Sequence, residues 1–427
     1  MKVFVKTLGC DKNTCDSEYI KGDLISKGHK IVDDPFLADI FLVNTCAFIN
    51  DAKVQSIEAI FELASIKTEK QKLIVSGCLS QRYGKELYKE MPEVDGFLGV
   101  NDYDKLDLVI NSDERLLYNA KASKCYLEFG QRAKSKGLWT APLKISDGCK
   151  NVCSYCAIPF IRGGYRSRDK KLIIEEAKQL AKDGVKELVL VGQDVTAYED
   201  LPALLRELCK IDGIHWIRIM YCYEDEITDE LINVIKTEKK IVKYLDIPLQ
   251  HYSDKILKAM NRKSSSKSID KTIAKLRAEI PDIRLRTTFI VGFPGEHKED
   301  FSKLYNFVSE ARFDRLGVFT YSKEEGTRAA KMGSQVSKDA KQRRQDKIME
   351  LQRSISLEHN EEMIGSVQEV LVEEMDSDGV YIGRTQYDAA DIDNSVIFTS
   401  KKKLKLGSFV KVKITDAFDY DLNGELV

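Results

Sequence analysis

Short runs of consecutive apolar residues alternate with longer stretches in which apolar positions recur every three or four residues. The segments KVFVKTL (2–8), ADIFLVN (38–44) and QKLIVSG (71–77) are apolar on both faces, as strands buried between helical layers are. Between them, DSEYIKGDLISKG (16–28), DAKVQSIEAIFELA (51–64) and GKELYKEMPEV (84–94) carry the helical period. This predicts a doubly wound α/β domain over residues 1–115. A strand-then-helix rhythm follows six times over 138–335, with strands LKIS, ELVLVG, WIRIM, YLDIPL, RLRTTFIVG and RLGVFTY. Six such units predict a partial (β/α)6 barrel, with its chemistry at the carboxyl ends of the strands. After a charged connecting helix over 336–362 the period drops to two, in VQEVLVEE, GVYIGRT, NSVIFTS and SFVKVKITDAF. Residues 363–427 are therefore expected to form a small antiparallel β-barrel, completing an α/β multidomain chain.

Composition sharpens this outline. Charge is abundant but balanced, at a formal net of -1, so the chain as a whole does not have the field of a nucleic-acid binder. No stretch approaches the roughly 20 apolar residues of a membrane span. The start, MKVFVKTLGCDKN, lacks the basic-then-apolar pattern of a secretory leader. A cytoplasmic chain with ten cysteines is expected to use them for metal or redox chemistry rather than as disulfides.

Their placement supports that. ISDGCKNVCSYCAIPF (145–160) holds Cys149, Cys153 and Cys156 in a C-x3-C-x2-C spacing directly after the first barrel strand, with Tyr155 before the last cysteine. No fourth cysteine or histidine follows nearby. Structural zinc takes four protein ligands and catalytic zinc three plus water, whereas three cysteines on a four-iron cluster leave one iron open to a non-protein ligand. At this spacing, opening a barrel-like domain, S-adenosylmethionine is the natural occupant of that iron. A second set of three is dispersed: Cys10, Cys46 and Cys78 each follow one of the N-terminal strands. In a parallel sheet those ends share one edge, although isolated cysteines also serve as small buried hydrophobes.

GCKNVCSYCAIP resembles the cluster motif of radical S-adenosylmethionine enzymes, and the whole chain is similar to the methylthiotransferases among them. That family joins an N-terminal domain bearing three cluster cysteines, the radical barrel and a C-terminal TRAM domain. LGCDKNTCDSE, VNTCAFINDAKVQSIEAI, SDGCKNVCSYCAIPFIRGGYRSR, YIGRTQYDAADID and ITDAFDYDLNGELV resemble the branch that modifies an aspartate of protein twelve of the small ribosomal subunit. The tRNA-modifying branch usually reads closer to GCQMN at the first site, where Lys12 stands here; Asp11 departs from the proline common in the ribosomal branch, and Cys15 is atypical.

The resemblance implies two 4Fe–4S clusters, on Cys10, Cys46 and Cys78 and on Cys149, Cys153 and Cys156, and two S-adenosylmethionines. One would be the methyl donor for a sulfur held at the N-terminal cluster. The other would yield the 5′-deoxyadenosyl radical that takes hydrogen from the β-carbon of the target aspartate. A reducing carrier such as flavodoxin or ferredoxin, a sulfur donor and a ribosomal protein substrate would be the partners, with no membrane. Tyr155, Gln193, Asp194, Gln250 and Arg286 are candidate cofactor contacts, together with His251. The polar residues end barrel strands, where side chains also simply face solvent, and Arg286 would pair with the cofactor carboxylate unless an ordinary ion pair claims it. Beyond the cluster ligands no catalytic residue is assigned, and Cys125, Cys209 and Cys222 are read as structural. The alternatives are a tRNA adenosine methylthiotransferase and a non-catalytic iron–sulfur carrier, which would complete its clusters with four protein ligands. Residues 367–427 hold 12 Asp and Glu against 7 Lys and Arg, an excess expected to favour a basic ribosomal protein over an RNA backbone.

Overall fold

The computed structural model describes residues 1–123, 126, 128, 130–134, 139–377 and 379–427. The N-terminal unit runs β1 (Lys2–Thr7), α1 (Asp11–Ser26), β2 (Lys30–Val32), β3 (Ile40–Thr45), α2 (Asn50–Ile66), β4 (Lys72–Gly77), α3 (Cys78–Glu90), β5 (Gly96–Leu98), α4 (Leu106–Asn111) and β6 (Leu116–Tyr118). Its sheet is parallel throughout, in the order β2-β1-β3-β4-β5-β6. Central β3 is buried at every position, which is why ADIFLVN shows no alternation. Through β6 the sheet continues beyond residue 115.

The second unit begins with β7 (Thr140–Lys144), the short β8 (Ser146–Asp147), α5 (Ile158–Ile161) and β9 (Arg166–Ser167). It continues with α6 (Lys170–Lys182), β10 (Glu187–Val191), α7 (Leu201–Cys209), β11 (Trp216–Ile219), α8 (Asp229–Thr237) and β12 (Ile241–Asp246). Then come α9 (Asp254–Ala259), α10 (Ser266–Glu279), β13 (Arg284–Val291), α11 (Lys298–Ala311) and β14 (Arg315–Thr320). The six long strands form an open parallel sheet, β14-β13-β12-β11-β10-β7, which is the partial barrel expected from the sequence. Alternate residues of β10 show its two faces: Leu188 and Leu190 pack under the helices, whereas Val189 and Val191 belong to a different cluster on the concave side.

That concave cluster contains Cys15 and Tyr19 of α1 and, from the small barrel, Leu371 and Ala389. Helix α1 is thus buried on two sides, with Ile20 and Leu24 against its own sheet and Cys15 and Tyr19 against the second. After α12 (Lys338–Glu361), the strands β15 (Val367–Ser377), β16 (Val380–Arg384), β17 (Ser395–Thr399), β18 (Phe409–Ala417) and β19 (Asp421–Leu426) close a five-stranded barrel. Its pairings are antiparallel except for the parallel seam between β17 and β19.

Candidate functional site: two facing sets of cysteines

Strands β1, β3 and β4 are neighbours, so the turns that leave their carboxyl ends are brought side by side. Cys10 caps the N-terminus of α1, Cys46 follows β3, and Cys78 opens α3. Two glycines make the approach possible. Gly9 (φ 98°) lies so close that a Cβ on it would stand 2.9 Å from the Cys46 Cβ. Gly77 (φ 97°) would meet the Thr45 carbonyl oxygen at 2.6 Å. Any side chain at either position would push two of the three cysteines apart. The Ser56 hydroxyl fixes Cys46 by accepting from its N–H at 3.0 Å and donating to its carbonyl at 2.9 Å. Burial pushes the Cys78 thiol up to about 12, and Cys46 and Cys10 add to the rise against the pull of Arg162, so the three sulfurs share one field.

The second set lies in the loop after β8. Burial pushes Cys156 up to about 12 and Cys149 up to about 11, with Cys153 adding to both. The Asn151 backbone N–H donates to the Cys149 sulfur at 3.4 Å, and the Tyr223 hydroxyl lies 3.6 Å from the Cys153 sulfur. Tyr155 packs with Ile256, Met260 and Phe293, so the residue before the last cysteine anchors the loop in an apolar cluster.

The seam between the two sets is charged and buried. Arg162, 1% exposed, donates to Asp147 at 3.1 and 3.2 Å, to Asn13 at 2.7 Å and to Asp16 at 2.9 Å, and it reaches the Cys78 sulfur at 3.8 Å. Lys144 forms a short ion pair with Asp16. Burial opposes the charge on Asp147, but Arg162, Lys144 and Arg166 outweigh it and hold that carboxyl well below its usual range. On another side of the seam Glu324 accepts from Arg82 at 2.8 Å and Lys53 at 3.1 Å, and Arg82 also donates to the Ala47 carbonyl beside Cys46. These residues carry no sequence signature. Arg162 stands six positions beyond Cys156, but its partners Asn13 and Asp16 are distant in sequence.

The donor sets suit iron–sulfur clusters. Each offers three thiols, with a guanidinium, N–H or O–H donor on sulfur in each set, and Cys10 and Cys78 stand at the N-termini of α1 and α3. Buried neutral thiols give up their protons when metal takes their place. Among the described residues no three His, Cys, Asp or Glu side chains stand close enough to share a single ion. One tetrahedral ion at about 2.3 Å would gather its thiolates tightly; a four-iron cube is larger and holds them wider apart.

Other sequence candidates take varied positions. Asp194, 0% exposed, accepts from Asn151 at 2.9 Å, and burial, aided by Glu226, pushes it up to about 6. The Gln193 side-chain amide oxygen is buried without a hydrogen-bond partner among the described residues. Gln250 holds a left-handed backbone (φ 70°) and turns its amide onto Pro248, while His251 is fully buried with Nε2 3.7 Å from the Glu296 carboxylate. Arg286 is already occupied, by Asp246 at 3.1 Å and Asp393 of the small barrel at 3.4 Å. Cys15 donates to the Pro142 carbonyl at 3.4 Å, away from the other sulfurs. Cys222 is buried and Cys209 half-buried; Cys125 lies outside the described residues.

The acidic excess of the small barrel requires a correction. Asp388 is buried against Arg315, and Asp393 accepts from Tyr244 at 2.6 Å, so these carboxylates bind the barrel to the second unit. The exposed surface carries Glu374, Asp376 and Asp416 but also the lysine run Lys401, Lys402, Lys403 and Lys405. Sequence counts missed this because they do not distinguish internal from external charge.

Comparison with known proteins agrees with the three units. The Radical SAM superfamily profile matches residues 143–308, the uncharacterized protein family UPF0004 profile 2–99, and the TRAM domain profile 364–427. The chain is 48% identical to the ribosomal protein uS12 methylthiotransferase RimO of Thermoanaerobacter sp. (strain X514), over 99% of each chain. It is 48% identical to the protein of that name from Acetivibrio thermocellus, over 100% of this chain and 98% of that one. Among solved structures it is similar in fold to the radical S-adenosylmethionine methyltransferase TsrM from Kitasatospora setae, solved with cobalamin and a 4Fe–4S cluster bound. That likeness has a TM-score of 0.59 at 12% identity and covers 86% of this chain and 76% of that chain. The cobalamin-dependent radical enzyme OxsB follows with a TM-score of 0.54 at 11% identity, covering 82% and 56%.

Proposed function

Because this chain belongs to the radical S-adenosylmethionine methylthiotransferases, within the family of its RimO relatives, we propose that it places a methylthio group on the β-carbon of an aspartate in ribosomal protein uS12. The observation that supports the reading is the buried seam in which Arg162, six residues beyond Cys156, grips Asp147, Asn13 and Asp16 and reaches the Cys78 sulfur. Cys149, Cys153 and Cys156 would hold one 4Fe–4S cluster, and Cys10, Cys46 and Cys78 a second. With S-adenosylmethionine these groups supply the one-electron chemistry and methylthio delivery that side-chain acids and bases cannot.

The protein's own residues do the rest. Tyr155 and its apolar cluster fix the loop that carries the radical-site cysteines. Gln193 and Asp194 line the mouth where the sulfonium cofactor would lie, and Arg286, already paired with two carboxylates, would act by holding the small barrel in place. Arg162 keeps the two sets in fixed relation by gripping residues of both units. A reduced flavodoxin or ferredoxin and a sulfur donor would complete the system in the cytoplasm. No helix among the described residues is long and apolar enough to cross a membrane.

The test is mass spectrometry of uS12 and of digested tRNA from cells with and without the gene. A methylthio group on one uS12 aspartate that disappears with the gene is the expected outcome; a change confined to tRNA methylthioadenosine would overturn the reading.

A further inference from the structure

Lys12 is a buried cation that forms no ion pair among the described residues. It lies in the first turn of α1, two positions past Cys10, and is 8% exposed. Its ammonium stands 3.5 Å from the centre of the Tyr221 ring and donates to the Gly192 carbonyl over a long 3.4 Å. Among the described residues it forms no ion pair. The other cations of the seam differ: Arg162 and Lys144 hold Asp16, Lys150 holds Glu226, Arg262 holds Glu224, and Arg286 holds Asp246. A cation–π contact offsets only part of the cost of burying an ammonium; Cys10 and Asp11 favour its charge from nearby, but no carboxylate among the described residues pairs with it directly, which leaves room for one more.

The surroundings are built for this arrangement. Tyr221 holds a left-handed backbone (φ 58°), which a bulky aromatic rarely adopts. Its N–H is fixed on Asp246 at 3.1 Å and its carbonyl accepts from Val195 at 3.2 Å. That strain turns the ring to the ammonium. Gly192 and Tyr221 follow the carboxyl ends of β10 and β11, so Lys12 stands at the barrel mouth while sharing a helix turn with Cys10.

We propose that Lys12 receives the side-chain carboxylate of the target aspartate and is thereby a specificity-determining residue for an acidic side chain. The inference rests on the methylthiotransferase reading above. A carboxylate is bonded directly to the carbon that is modified, so holding it places that carbon between the two cysteine sets. A neutral nucleobase or amide would leave the ammonium unpaired and bind less well.

The test uses the reconstituted full-length protein without S-adenosylmethionine, so that no turnover occurs. Calorimetry compares a peptide copying the uS12 loop with the same peptide carrying asparagine at the target position. The wild-type protein is expected to prefer the aspartate peptide by on the order of 10-fold or more, as a charge-assisted hydrogen bond does. Lys12→Met should bind both peptides alike, and Lys12→Arg should keep part of the preference. Iron content and the electron paramagnetic resonance of the reduced clusters should match wild type in both. Retained preference in Lys12→Met, equal weakening for both peptides, or iron loss in both Lys12→Met and Lys12→Gln would overturn the inference. If, in a separate assay with S-adenosylmethionine and a reductant, the wild-type protein methylthiolates the aspartate peptide while Lys12→Met keeps its binding preference, this inference alone fails. If it shows no preference and modifies tRNA, the functional reading fails and takes this one with it.

Discussion

The two cysteine sets are placed by opposite routes. Cys149, Cys153 and Cys156 come from one loop, so chain connectivity alone keeps them together. Cys10, Cys46 and Cys78 come from three turns and meet only because β1, β3 and β4 are adjacent. The direct side-chain contacts to sulfur differ too: the Arg162 guanidinium and the Asn13 amide oxygen on Cys78, a phenol hydroxyl on Cys153. A set assembled by topology depends on the fold and its buried charges, whereas a set written into one loop depends on its own sequence.

The most drastic way to break the comparison is to remove one set at a time. The intact protein should carry about eight irons, as two four-iron cubes. The triple Cys149, Cys153 and Cys156 alanine variant should retain about four of them by iron analysis. Cys153→Ala should abolish 5′-deoxyadenosine formation, whereas Cys46→Ala should retain it and lose the methylthio product, both followed by liquid chromatography. Loss of both activities in Cys46→Ala with the loop cluster intact would refute separate roles.

A smaller effect separates the surroundings. Arg162→Met leaves Asp16 and Asp147 without their buried guanidinium and should cost about 3–5 kcal/mol in denaturant unfolding of the iron-free protein. Tyr223→Phe removes only a neutral hydroxyl beside the loop set and should cost about 1 kcal/mol. Equal losses would mean that the topological set is no more dependent on buried charge than the loop set.

The seam to the small barrel provides the control, since it involves neither set. Glu187 is 0% exposed and bonds Arg218 at 2.7 Å and Arg384 of the small barrel at 2.6 Å. Burial opposes its charge, but the two arginines prevail and hold its pKa down to about 2, from an ordinary 4.5. A depressed carboxyl contributes stability above its unfolded pKa and loses it as pH falls through its folded one. The stability difference between wild type and Glu187→Gln should therefore shrink by about 2–3 kcal/mol between pH 5 and pH 2. Denaturant unfolding of the iron-free proteins across that range measures it, and a pH-independent difference would show that Glu187 does not carry the seam.

Much of this architecture was legible because its elements are long or its cysteines obey spacing. The six barrel strands and β1, β3 and β4 appear as apolar runs, and helices between them show their period. Three-residue strands such as β2, β5 and β6 are too short to show any period. Strand β19 contains Asn423 and Gly424, poor strand formers, and exists because pairing with β17 and β18 closes the barrel. The positions of Cys10, Cys46 and Cys78 just beyond β1, β3 and β4 could be read from the strand ends, and the loop of Cys149, Cys153 and Cys156 from its spacing. Arg162 could not, because its partners come from another unit. Arg286 was visible as a cation at a strand, but its partner Asp393 lies in the small barrel, beyond any local pattern.

The double burial of α1 has a consequence for how the chain can be divided. Sequence patterning draws a border near residue 115, yet Cys15 and Tyr19 of the first unit lie inside the core of the second. A cut between Tyr118 and Thr140 would strip the second unit's concave face of its cover and leave α1 with an apolar side facing water. Neither fragment would then be a self-sufficient module, and a graft of the first unit onto a foreign barrel would succeed only if α1 found a matching hollow. The family matches end at residue 99 and resume at 143, whereas the packed cluster crosses that gap.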